Sequence, residues 1–215
     1  HMVEPIIMPD QEEVDRFLPA YIPYATLHPD RVVSMGTLGM PEIFAEAQKS
    51  KNVALVNSIK VIKEVWKEWE RQFGRKYEPV QGYRTEDADV ALVTMGSMGE
   101  TAEIAVDELR KQGVKAGLLK IKLWRPFPFD DLKKAIHGIR VLAVTDRAVS
   151  FGGPGGPVFS EIRSALYEEA VRPLIVNYII GLGGRDVQVE DFIEMVKRAA
   201  TGKLSEPYEF YGVRG

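Results

Sequence analysis

The second half of the chain alternates short, nearly continuous apolar runs with longer amphipathic stretches. From Glu86 onward the runs "DVALVTMG", "KAGLLKIKLW", "IRVLAVTD" and "PLIVNYIIG" read as strands. Between and after them, "ETAEIAVDELRKQG", "DDLKKAIHG", "PVFSEIRSALYEEA" and "QVEDFIEMVKRAATG" repeat apolar positions at helical spacing. In the first of these, Ile104, Ala105 and Leu109 are expected on one buried face and Gly113 as the stop. Strands that alternate with helices imply a parallel sheet with helices on both faces, an α/β fold. Strands that are apolar throughout suit a sheet covered on both sides.

Upstream, a single long helix is predicted over residues 41–73. Pro41 suits a first helical turn and Gly74 a stop. Leu55, Ile59, Ile62, Trp66, Trp69 and Phe73 form one apolar stripe, predicted to be core or subunit contact. Lys60, Lys63, Glu64, Lys67, Glu68 and Arg71 form a solvated face. The first forty residues are rich in proline and turn residues and read as an irregular arm. The tail "KLSEPYEFYGVRG" is expected to dock on a neighbour. This places residues 1–82 in an arm plus connecting helix and residues 83–215 in the α/β domain.

Composition narrows the chemistry. The 215 residues carry a net charge of −3, which gives no electrostatic footprint for nucleic acid. No apolar run is long enough to span a bilayer, and none reads as a signal peptide, so no membrane partner and a cytoplasmic location are expected. With no cysteine, these residues form no disulfide, thiolate zinc site or cysteine-ligated iron–sulfur cluster. Of three histidines, His1 belongs to an opening His1-Met2 that reads as left by cloning. His28 sits in a turn, and His137 ends a helix, where a cation is favoured.

In open parallel sheets, ligands bind beyond the carboxyl ends of the strands. Three such ends stand out. "TMGSMGET" places Gly96, Ser97 and Gly99 where a helix begins, so its free N–H groups face the turn. Ser97 or Thr101 caps that helix, or the turn holds an anion. It is neither a dinucleotide fingerprint nor a P-loop. "KLWRPFPFD" stiffens the chain around Arg125, which either clamps a carboxylate or phosphate or pairs with an acidic residue across a subunit boundary. "TDRAVSFGGPGGPVFSEI" puts Asp146, Arg147 and Ser150 on the rim of a glycine-rich corner. Pro154 and Pro157 each remove an N–H donor that a phosphate cradle would need, so these glycines are expected to serve close packing.

As an ordered set, "MGSMGETAEIAVDELRKQGVKAGLLKIKLWRPFP" and "VLAVTDRAVSFGGPGGPVFSEIRSAL", preceded by "VIKEVWKEWERQFGRKYEPVQGYRTEDADVALV" and the "VDRFLPAYIP" arm, closely resemble the alpha subunit of pyruvate:ferredoxin oxidoreductases and related 2-oxoacid:ferredoxin oxidoreductases. The resemblance implies a transketolase C-terminal-like fold over about Tyr83–Gly202. It implies oxidative decarboxylation of a 2-oxoacid with coenzyme A, giving acyl-CoA, carbon dioxide and reduced ferredoxin. It also implies thiamine diphosphate and iron–sulfur clusters held largely by a thiamine-binding beta, an iron–sulfur delta and a gamma subunit, with none bound to this chain. The family's glutamate that activates thiamine would precede residue 1. Gly96, Ser97, Gly99, Arg125, Arg147 and Ser150 are the expected cofactor contacts; no catalytic residue or metal ligand is expected. Two alternatives remain open: another thiamine enzyme of transketolase or 2-oxoacid dehydrogenase beta type, and a non-enzymatic module that binds a nucleotide or acyl carrier.

Overall fold

The computed structural model describes residues 6–36, 38–202 and 208–214. His1 and the 203–207 stretch of the tail lie outside these. The chain divides into two compact units, His1–Lys76 and Tyr77–Gly215.

In the first unit, the arm contains a helix that the sequence reading missed, α1 (Gln11–Phe17). Its signal is an Asp-x-x-Glu capping box. The Glu13 N–H donates to Asp10 Oδ1 at 2.8 Å, and the Asp10 N–H donates to Glu13 Oε2 at 2.9 Å. Helix α2 (Pro41–Phe73) has the predicted bounds, with Pro41 in its first turn and Gly74 closing it at φ 71°. Phe17 meets Trp69 edge-on at 5.3 Å and Phe73 at 5.7 Å, and Gln72 Nε2 donates to Glu13 O at 2.7 Å. No residue of α2 is fully buried, and Leu55, Val56, Val61 and Val65 are exposed.

The second unit is an α/β sheet in the order β1-β3-β2-β4-β5-β6. Strands β2 (Val90–Met95), β3 (Ala116–Ile121), β4 (Val141–Asp146) and β5 (Leu174–Ile179) are parallel and coincide with the predicted apolar runs. Helices α3 (Met98–Lys111), α4 (Phe129–Ala135), α5 (Pro157–Ala165) and α6 (Val189–Ala200) cover them. Side chains alternate across each strand, so two cores form. On one face Val90 and Leu92 pack with Ala102, Ala105 and Leu109 of α3 and Phe192, Met195 and Val196 of α6. On the other, Ala91 and Val93 pack with Leu132 of α4 and Val158, Phe159 and Ile162 of α5. Ile104, expected on the buried face of α3, is instead exposed, because the helix is contacted on one side only.

Both sheet edges depart from expectation. Strand β1 (Val80–Tyr83) pairs antiparallel with β3, Val80 opposite Ile121, so the unit begins at Tyr77, six residues before the boundary placed after residue 82. Strand β6 (Glu209–Phe210) adds to β5 in parallel, Tyr178 opposite Glu209. The described part of the tail therefore docks on its own sheet. Arg198 holds Glu209 through both oxygens, at 2.8 and 2.6 Å, and Tyr211 Oη donates to Glu194 at 2.9 Å. Burial and that carboxylate both push the Tyr211 phenol well above its ordinary value.

Candidate functional site

The topology creates one crevice of the kind that binds ligands in open α/β sheets. Strands β2 and β4 are neighbours, yet α3 leaves β2 onto one face and α5 leaves β4 onto the other. Their carboxyl ends therefore diverge at a topological switch point. Gly96 and Ser97 stand on one side, Arg147 and Ser150 on the other. Gly96 turns the chain at φ 77°, and Ser97 occupies the N-cap of α3 without a side-chain cap bond. Its hydroxyl does not satisfy the first amides of the helix, so Ser97 does not cap α3 through its side chain.

Three strand ends converge here. A Cβ on Gly181, after β5, would come 2.7 Å from Met98 Cε and 3.2 Å from Arg147 Nε. Gly181 has φ 63°, which favours glycine by conformation, whereas the neighbouring Met98 and Arg147 side chains are flexible. Arg147 is exposed, and its bond within the described residues is a long one, Nη2 donating to Gly181 O at 3.4 Å. Ser150 is exposed too; its backbone N–H donates to Gly155 O at 3.1 Å and its carbonyl accepts from Gly153 N at 2.8 Å. These bonds close the glycine-rich corner on itself.

That corner is not a phosphate cradle, because a carboxylate of the chain already fills it. Asp146, expected on the rim, is buried. Its Oδ1 accepts from Val158 N at 2.8 Å, and its Oδ2 from Phe159 N at 3.1 Å and Asn177 Nδ2 at 2.9 Å. The anion that the α5 N-terminus attracts is thus supplied from β4. Asn177 completes the network, accepting from Gly156 N at 2.8 Å and donating to Val144 O at 3.1 Å. Burial pushes the Asp146 carboxyl above its ordinary value of 3.8, against the pull of its three hydrogen-bond donors. The glycines are spacers: a Cβ on Gly155 would lie 2.8 Å from Asn177 Oδ1, and one on Gly156 2.2 Å from Asp146 Cγ.

Arg125 is set apart from this crevice. Its Nη2 meets Glu161 of α5 at 2.7 Å, its Nη1 donates to Trp124 O at 2.9 Å, and the guanidinium lies over the Trp124 ring at 5.2 Å. Its acidic partner belongs to the same chain. The Glu161 hydrogen bond raises the Arg125 value further. Solvent screening at this half-exposed pair limits its worth, so Arg125→Ala is expected to lower stability by only about 0.5 kcal/mol in urea unfolding. A loss several times larger would mean that Arg125 has another partner.

A second cleft, of about 470 Å³, opens beside the Gly96 turn. It is lined by Met95, Gly96, Ser97, Glu100, Lys120, Lys122 and Trp124. Sequence reasoning missed its charged floor. Lys120 lies on an otherwise apolar strand, and Glu103 Oε1 holds its Nζ at 2.5 Å. The signal was the single lysine inside "AGLLKI". Gly99 is buried directly above the lysine stem.

The donor set limits what these residues can hold. There is no cysteine, and among the described residues no group of three His, Asp or Glu could hold a metal. The N-terminal end of α5 is closed by Asp146. These residues do not fit an iron–sulfur cluster, the α5 helix end does not fit a diphosphate, and no catalytic step is assigned through either group.

Comparison with known proteins agrees with the sequence resemblance. Residues 88–192 match the pyruvate:ferredoxin oxidoreductase core domain II. The pyruvate synthase subunit PorA of Pyrococcus abyssi is 40% identical over all of this chain and 55% of its own length. The ketoisovalerate oxidoreductase subunit VorA of Pyrococcus horikoshii is 39% identical over all of this chain and 56% of its own. A solved split-gene transketolase, an inactive beta4 tetramer, aligns at 21% identity and TM-score 0.45 over 59% of this chain and 43% of that one. The chain spans about half the length of the curated relatives it matches. With near-40% identity running from end to end and core domain II within it, this chain belongs to the 2-oxoacid:ferredoxin oxidoreductase family, as a portion of its alpha-type subunit.

Proposed function

We propose that this chain is the assembly and site-shaping part of the alpha subunit of a thiamine-dependent, cytoplasmic 2-oxoacid:ferredoxin oxidoreductase. The complete enzyme makes acyl-CoA, carbon dioxide and reduced ferredoxin from a 2-oxoacid and coenzyme A. The observation that carries this is the identity to PorA along the whole chain. Pyruvate is the favoured substrate, because PorA subunits lead the relatives, with ketoisovalerate the second reading on the strength of VorA. Thiamine diphosphate and the iron–sulfur clusters belong to partner subunits or to the rest of the alpha polypeptide, in keeping with a chain that has no cysteine. The exposed apolar positions of α2 and the arm, among them Val56, Val61, Tyr21 and Ile22, suit burial against those parts.

In this reading the crevice between β2 and β4 borders the path of coenzyme A or the oxoacid. Arg147 meets an anionic group there, and Gly96, Ser97 and Gly99 shape the opposite wall, with Ser150 at the rim. Arg125 acts at one remove, by holding α5 through Glu161.

The test is reconstitution. The full-length subunit, expressed with its partner subunits, should reduce ferredoxin only when a 2-oxoacid and coenzyme A are both present. Reduction that needs NAD or a lipoyl protein instead would move the chain to a dehydrogenase. In the active complex, Arg147→Ala is expected to raise KM for coenzyme A or the oxoacid at least tenfold while kcat changes little. Unchanged KM for both would remove the crevice from the reaction path.

A further inference from the structure

We infer that Lys120 is a positioning residue: a buried cation that holds the Gly96–Gly99 turn in place at the switch-point crevice. The inference rests on the crevice reading above.

Lys120 is the one buried cation among the described residues. It occupies the fifth position of β3, all six residues of which are buried. A buried ammonium is costly unless paired, and a methionine would fill the same volume without that cost. The surroundings show how it is held. Its stem runs beneath Gly99, where a Cβ would come 2.6 Å from Lys120 Cδ and 3.1 Å from Cγ. Its Nζ emerges under the first turns of α3, 2.5 Å from Glu103 Oε1 and 3.7 Å from Glu100 Oε1. Those two glutamates are three residues apart and share one helix face. Glu100 in turn lies 3.8 Å from Lys122 Nζ.

This is a polar tie from the end of β3 to the start of α3. Ser97 makes no side-chain cap bond, and Thr94, opposite Lys120 in register, has a buried hydroxyl with no partner. The helix therefore enters the crevice at an angle set by the Lys120–Glu103 pair and by the absence of a side chain on Gly99. The amides of the turn point where this pair aims them.

The experiment compares Lys120→Met, Lys120→Arg and Glu103→Gln in the reconstituted enzyme, with Arg147→Ala beside them. Hydrogen exchange is followed in the 215-residue chain. Lys120→Met is expected to speed exchange in the 95–103 segment about tenfold and to leave the 116–121 strand unchanged. In the enzyme it should raise the same KM that Arg147→Ala raises, at least fivefold, with kcat within twofold of wild type. Lys120→Arg should recover at least half of that loss. Should Lys120→Met fail to fold, Glu103→Gln decides, with the same direction and a smaller change. A lowered melting temperature with unchanged KM, while Arg147→Ala still raises it, would reduce Lys120 to a stability role and overturn the inference. If Arg147→Ala also leaves every KM unchanged, the crevice reading falls, and the role of Lys120 in the reaction falls with it.

Discussion

Asp146→Ala is expected to destabilise the protein by about 3 kcal/mol, because three buried donors lose their acceptor at once. Two of them are the amides that open α5, which have no other partner inside the helix. The third is the Asn177 amide, which also positions Gly156. The loss is partly offset by no longer burying a charge, which keeps the figure below the sum of three bonds. Asp146→Asn retains one acceptor and sets an NH₂ group against a donor, so it should cost about half as much. Equilibrium urea unfolding followed by circular dichroism measures both. A cost for Asp146→Ala below about 1 kcal/mol would mean that water replaces the carboxylate and that the corner is open.

The same carboxylate sets a pH signature. Burial raises its folded value above 3.8, so between these two values the folded state binds more protons than the unfolded one. This contribution is therefore fully present below 3.8 and is lost as pH rises through the folded value. The advantage of wild type over Asp146→Asn should widen as pH falls through that window and stay flat above it. An advantage that narrows on acidification would reverse the sign assigned to the site.

Gly156→Ala should be as severe, about 3 kcal/mol or more, although alanine tolerates the backbone there (φ −77°, ψ 162°). The cause is spatial. The new methyl would stand 2.2 Å from Asp146 Cγ and 2.3 Å from Oδ2. The carboxylate cannot retreat without leaving the amides of Val158 and Phe159. Since both substitutions break the same contact, their costs should not add: the double variant should be little worse than either single one. Additive losses would show that Gly156 matters for some reason other than room for Asp146.

The bounds of α2 and the runs that became β2 to β5 were legible in the chain, because period and end signals are local properties. Pro41, Gly74 and the apolar alternation state them without reference to any distant residue. The judgement that the glycine-proline corner lacks phosphate geometry was legible too, from two missing N–H donors. The Asp-x-x-Glu box of α1 was equally local and was obscured by the prolines around it.

Only the tertiary structure decided the edges and the charges. Strand β1 is four residues long and contains Gly82, and β6 is two residues long; each exists because a neighbouring strand offers it unpaired backbone groups. Asp146 reads as a rim residue because it ends a strand, yet it is buried once α5 folds back over it and presents two amides. Lys120 reads as an interruption of an apolar run until α3 brings Glu100 and Glu103 above it. A buried charge is tolerable only beside partners from elsewhere in the chain, so its place follows from packing that no local pattern records.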